Sequence, residues 1–164
     1  MMFKKKRIWV FVFLASTVLT GILFGEIHAA SETNLSKGQT VYVPVYSHVY
    51  HGHKERVFNL TAGLSIRNVE PTASIMITSV RYYDSSGKLL KSYLDQPVRL
   101  GPLASIHYIV KESDKAGGFG ANFLVKWMSD SNVNQPVIEC VMIGTSGQQG
   151  ISFLTIGRVV QDAN

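Results

Sequence analysis

Through most of the chain, apolar and polar residues alternate with a period of two. Phe58, Leu60, Ala62, Leu64 and Ile66 alternate with Asn59, Thr61, Gly63, Ser65 and Arg67. That pattern predicts a strand with one face buried and one wet. Upstream, Val41, Val43, Val45 and Val49 alternate with Tyr42, Pro44, Tyr46, His48 and Tyr50, a first strand that Pro44 assigns to a sheet edge. In residues 75–83 the apolar parity slips from Ile75 and Ile77 to Val80 and Tyr82, as a bulge near Thr78-Ser79 would make it do.

Asp84-Ser85-Ser86-Gly87 is a turn, and Lys88–Leu94 returns as the second arm of a hairpin. Pro97–Ser105 reads as a chain crossing between two sheets. Strands follow at Ile106–Val110, around Phe123, Val125 and Trp127, at Val137–Ile143 and at Ile151–Val160, separated by polar or glycine-rich loops at 112–120, 129–135 and 144–150. No stretch after residue 30 keeps a helical period for ten residues. About eight short strands without helices predict an all-β fold, an immunoglobulin-like two-sheet sandwich, with a small closed barrel as the alternative.

The first thirty residues break this pattern. Lys4-Lys5-Lys6-Arg7 precede an uncharged, mostly apolar run of 17 residues from Ile8 to Phe24. A basic start before an apolar helix is an export signal. Ala29 and Ala30 suit the position before a signal-peptidase cut, while Ile27 and His28 do not suit the position two residues earlier. Residues 1–30 are therefore a cleaved signal peptide or an uncleaved membrane anchor held by its cytoplasmic charges. Residues 31–39 read as a polar linker and 40–164 as the β domain. The expected location is the periplasm or the outer face of the cytoplasmic membrane, with membrane attachment through the leader if it stays uncleaved.

Charge changes little once the leader is set aside. Residues 1–30 hold four Lys/Arg and one Glu, so of 16 basic and 11 acidic residues 12 and 10 remain, a balance of +2. With no basic cluster on the domain, nucleic acid is not an expected partner. The lone Cys140 lies in an apolar run and reads as a small buried hydrophobe. Without a second cysteine, no internal disulfide exists, and the domain relies on its core.

Three constellations offer chemistry. If the valines of the first strand face the core, Tyr42, Tyr46, His48 and Tyr50 line its other face, and tyrosines of this kind suit a protein or glycan partner. The polar segment Gly144–Gly150, with Thr145, Ser146, Gln148 and Gln149, adds hydrogen-bonding groups for recognition. His48, His51 and His53 lie within six residues and form a copper or zinc site if the chain turns near Gly52, with Glu55 or His107 as a further ligand. Glu112 and Asp114 share a solvated loop, Glu139 interrupts an apolar strand at a wet face, and no serine stands in a triad pattern. No enzyme is expected and no cofactor is required; metal belongs only to the histidine alternative.

Several segments together carry a resemblance. They are the Tyr/Val/His stretch Val41–Gly52, Leu64-Ser65-Ile66-Arg67-Asn68, the hairpin Tyr82–Gly87, Asn122–Trp127, and Gly144–Gly150 continuing into Ile151-Ser152-Phe153. The chain resembles, from about Val41 to Val160, a bacterial family of unknown function, domain of unknown function 3124. The resemblance implies an exported bacterial protein and supplies no catalytic residues. The expected role is a non-catalytic binding or assembly module of the envelope, meeting an envelope protein or glycan; the alternative is a periplasmic metal-binding protein.

Overall fold

A computed structural model describes residues 35–146 and 149–162. The leader, including the expected helix and its cleavage site, lies outside the described residues. Those residues are all-β, with antiparallel ladders throughout and no helix among them.

Twelve strands are found among the described residues: β1 (Leu35–Pro44), β2 (His48–His51), β3 (Arg56–Asn59), β4 (Thr61–Arg67), β5 (Ile75–Tyr83), β6 (Leu89–Ser92), β7 (Val98–Leu100), β8 (Ser105–Val110), β9 (Asn122–Asn134), β10 (Val137–Ser146), β11 (Gln149–Ile156) and β12 (Arg158–Asp162). One sheet has the order β12-β1-β9-β5-β6, with β7 also on β5; a second has β11-β10-β4-β8; β2 and β3 form a separate hairpin. The count exceeds the expected eight because three alternating runs are divided, Ile151–Val160 among them at Gly157, and the crossing segment 97–105 holds β7. Val41–Tyr50 breaks after Pro44, and the run around Phe58–Ile66 breaks at Leu60.

The buried faces of both large sheets form one core. Val41 and Val43 of β1, Val80 and Tyr82 of β5, and Phe123, Val125 and Trp127 of β9 join Ala62, Leu64 and Ile66 of β4 and Cys140 and Met142 of β10. Each fully buried large apolar side chain contributes about 1.5–3 kcal/mol. The parity slip in β5 is a register shift between Ile77 and Ser79 against β9. The stretch 97–105 does cross between sheets: β7 pairs with β5 in one, β8 with β4 in the other.

Three expectations need correction. Residues 35–39, read as linker, belong to β1, where Gln39 is buried opposite Trp127 and its amide donates to Asp162 Oδ1 at 3.0 Å. Residues 129–134, read as a turn, continue β9, because Val133 is buried and pairs with Ser36. β1 is an interior strand, not an edge. Pro44 is tolerated because the β12 ladder ends at Tyr42. The Pro44 carbonyl accepts Thr155 Oγ1 at 2.6 Å, and in a strand the missing N–H lies on the same side as that carbonyl.

A buried polar knot closes the end of β4. The Asn68 carboxamide donates to Ala73 O (2.8 Å), Leu100 O (3.3 Å) and Gly101 O (2.9 Å), and its oxygen accepts from Glu70 N (3.0 Å). Glu70 in turn accepts from the backbone and side-chain amides of Asn134. These bonds, led by the Asn134 backbone N–H, hold its carboxyl below the usual range.

Candidate functional site

The β2–β3 hairpin presents two faces. Its ladder pairs His48 with Asn59, Val49 with Phe58, Tyr50 with Val57 and His51 with Arg56. Gly52 (φ 68°) and Glu55 (φ 47°) make the tight connection between the strands. Val49 and Phe58 pack on the core, and Phe58 lies against Gly144 of β10, where a side chain would meet its ring. The other face carries His48, Tyr50, Val57 and Asn59 away from the core.

Onto this outer face comes an aromatic residue from a distant loop. Phe119 lies 5.8 Å from the Tyr50 ring and 5.1 Å from the Tyr46 ring, and Tyr46 is 5.6 Å from Phe153 of β11. His48 meets Tyr50 edge-on at 5.1 Å. Tyr50 remains 53% exposed and Phe119 49% exposed, so the group is half buried and half open to solvent. The three edge-to-face pairs, Tyr46–Phe119, Tyr46–Phe153 and His48–Tyr50, each add about 0.5–1.5 kcal/mol beyond burial, while Tyr50 and Phe119 are tilted at 35°.

Two serines pin the glycine-rich loop that carries Phe119. Gly118 O accepts from Ser47 N and from Ser47 Oγ, each at 3.1 Å, and Ser47 is fully buried. Ser85 Oγ donates to Gly117 O at 3.0 Å and accepts from Gly120 N at 2.9 Å. Gly117 has no alternative residue here, because a side chain would run into the Tyr82 hydroxyl; Gly118 needs its left-handed φ of 78°. The Tyr82 hydroxyl makes no hydrogen bond among the described residues, and burial pushes its ionisation far above the usual tyrosine range.

The sequence-predicted residues divide. Tyr46, His48 and Tyr50 are brought together. Tyr42 is not: it sits half-buried on β1 between Leu124 of β9 and Arg158 of β12, apart from the stacked rings. The segment 144–150 is mostly ladder rather than loop, since Thr145 pairs with Gly150 and Ser146 with Gln149. Thr145 is exposed. Gln148 lies outside the described residues, as do the side chains of Ser146 and Gln149.

The three histidines spread over the hairpin. His48 faces out, His51 lies on the opposite face against Phe58 at 6.0 Å, and His53 is in the turn. Among the described residues, no group of three His, Cys, Asp or Glu side chains stands close enough to hold a metal ion. His48 Nδ1 is 3.4 Å from Ser47 Oγ; its buried Nε2 and the Oδ1 of Asn59, its cross-strand partner, have no hydrogen-bond partner among the described residues.

Other candidates have plain structural roles. Asp114 accepts from Ala116 N at 3.1 Å within its own loop. Glu139 pairs with Arg67 at 3.1 Å on the outer face of its sheet. Cys140 is fully buried, and that burial pushes its thiol up to about 12.

Local pattern did not reveal Phe119 and Phe153. One signal existed: Phe119 is a single large aromatic inside the glycine-rich stretch Gly117-Gly118-Phe119-Gly120.

A family model described as "Protein of unknown function (DUF3124)" matches residues 38–160. The chain belongs to this family. The DUF3124 match takes in the hairpin, the serine-pinned loop and β11, and so the entire aromatic group. Among curated proteins, none matches. Among solved structures, the DUF3124 chain is similar to one described as the crystal structure of Thermotoga maritima 1070, at 12% identity and a TM-score of 0.45, covering 76% of this chain and 97% of that one. No helix among the described residues is long and apolar enough to cross a membrane.

Proposed function

We propose that this DUF3124 protein is a non-catalytic binding module of the bacterial envelope, whose recognition face is the group Tyr46, His48, Tyr50 and Phe119. The carrying observation is the pair Tyr50 and Phe119. Two large rings stand half exposed 5.8 Å apart, one on a hairpin seated on the core and the other on a loop held by two serines. Rings fixed before binding lose little conformational freedom when a partner arrives, and exposed aromatic clusters mark interaction surfaces.

The basic and apolar leader supports export, to the periplasm or the outer face of the cytoplasmic membrane. The architecture is read in the same proposal as an immunoglobulin-like sandwich, supported by two antiparallel sheets sharing one core. An envelope protein or a cell-wall glycan fits the aromatic face, since both offer apolar surface beside polar groups.

The test is capture by the full chain in detergent-solubilised envelope, run beside co-sedimentation with isolated cell-wall sacculi. A protein or sacculus bound by the native chain and lost with Tyr50→Ser/Phe119→Ser supports the reading and identifies the partner class. Equal binding by both chains in both arms, or none in either, overturns it.

A further inference from the structure

The second sheet has an apolar outer face as well as an apolar inner one. Its registers align Leu154 of β11 with Val141 of β10, Val141 with Gly63 of β4, and Gly63 with Ile109 of β8. All four positions point away from the core: Met142, Ala62, Leu64 and Val110, the chain neighbours of Val141, Gly63 and Ile109, are buried, and Phe153, the neighbour of Leu154, packs against the core. An apolar row therefore crosses the whole sheet. Ile109 folds over Gly63, its Cδ1 lying 3.4 Å from where a β-carbon would stand. Ile156 and Ile143 flank the row; Ile156 is 69% exposed, and Ile143, Leu154 and Ile109 are about half exposed. An antiparallel sheet with one solvated face normally carries polar residues there.

We infer that this face packs against the same face of a second copy of the chain. The outward side chains, Val137 included, offer on the order of 500 Å² of apolar surface, near the upper end for a patch left open on a monomer. Two such faces would together remove on the order of 1,000 Å² from water, the size at which specific interfaces begin. Charge favours the same occupant. The charged groups at the row's margin, Arg67 and Glu139, are paired with each other at 3.1 Å. The four strands thus carry no net charge to select an oppositely charged partner or to repel their own copy, and the exposed Lys111 lies beyond the end of β8. A two-fold axis through the row sets apolar row on apolar row, the self-complementary contact that a closed dimer requires. This inference is independent of the aromatic face, which lies on the hairpin and its loop.

The chain has one cysteine and it is fully buried, so an introduced surface cysteine is the accessible thiol of the described domain. Full-length chains carrying Ile109→Cys, Ile143→Cys, Leu154→Cys or Ile156→Cys are expressed, and intact cells are treated with a mild oxidant or a short bis-maleimide. At least one position is expected to give a covalent homodimer, at several-fold higher yield than Leu89→Cys, an exposed position on β6 of the other sheet. Adding Leu154→Arg to the responding variant (Ile156→Arg where Leu154 itself responds) is expected to suppress that dimer without lowering the melting temperature, since both positions point outward. Absence of a homodimer at all four positions, equal yield from Leu89→Cys, insensitivity to the arginine, or cross-linking to a different protein overturns the inference.

Discussion

Gly144 is the seat of the Phe58 ring. A β-carbon at residue 144 would run into that ring and would stand 2.8 Å from the Asn59 carbonyl oxygen. Backbone cannot move aside as the end of a side chain can, so the β2–β3 hairpin would have to lift from β10. Gly144→Ala is expected to cost about 1–3 kcal/mol, the range for forcing extra volume into a packed site. Thermal or urea unfolding checks this, and loss of the Tyr50–Phe119 contact accompanies it in a nuclear Overhauser spectrum.

The Asn68 carboxamide holds three carbonyls and one backbone N–H. Asn68→Ala strands all four and leaves a void. Each buried polar group left unmet costs about 1–3 kcal/mol; with some groups reaching water, a total of roughly 3 kcal/mol is expected. Asn68→Asp should also destabilise, because a carboxylate cannot donate to those carbonyls. A denaturation midpoint unchanged in either variant would contradict this account.

Cys140 contributes to the pH dependence on the alkaline side. Its thiol titrates near 9.0 when free and at about 12 when buried. Between those values, the unfolded chain has lost a proton that the folded chain keeps. Stability therefore falls as pH rises from about 9 towards 12. Cys140→Ala removes the thiol's share of this slope while costing core volume; Tyr82, Tyr93 and Tyr108, which burial also raises, keep theirs. On the acid side the sign reverses: Glu70 and Asp84 are held below their ordinary values, so their contribution is present above those values and is lost as pH falls through the lowered ones. Unfolding curves across pH for native, Cys140→Ala and Glu70→Gln chains separate the two limbs.

Exposed rings on a rigid support should matter for binding and little for folding. Tyr50→Ser gives up the edge-on contact with His48 and is expected to cost no more than about 1 kcal/mol, while abolishing capture of the envelope partner. Ser47→Ala removes the buried hydroxyl that donates to Gly118 O. It should cost about 1 kcal/mol and weaken capture through a displaced Phe119. A large stability loss in Tyr50→Ser would mark the ring as core.

Much of the fold was readable because period-two patterning is local. The stretch Thr61–Arg67 appears as β4 with its expected buried face, and the parity slip at Thr78-Ser79 appears as a register shift. The turn Asp84–Gly87 formed as its residues dictate, with Asp84 Oδ1 accepting from Ser86 N and Lys88 N. What was not readable depended on partners far away in the chain. Valines continue to alternate past Pro44, and nothing nearby reveals that β12 stops opposite Tyr42. Residues 35–39 are polar, yet they form a strand because β9 offers a ladder. The aromatic site was half legible: Tyr46, His48 and Tyr50 come from one pattern, whereas Phe119 joins them only through bonds to Ser47 and Ser85, 72 and 34 residues earlier.

The pairing of β1 sets the timing of folding. Gln39 has Asp162 on one side and Trp127 on the other, so the first strand of the domain finds its neighbours only after nearly the whole domain has been made. A ladder that closes so long a stretch of chain forms slowly. Until Arg158–Asp162 leave the ribosome, β1 has no β12 to join, and that ladder cannot close. Such delay suits a protein whose proposed route threads it through a membrane pore before it takes its shape.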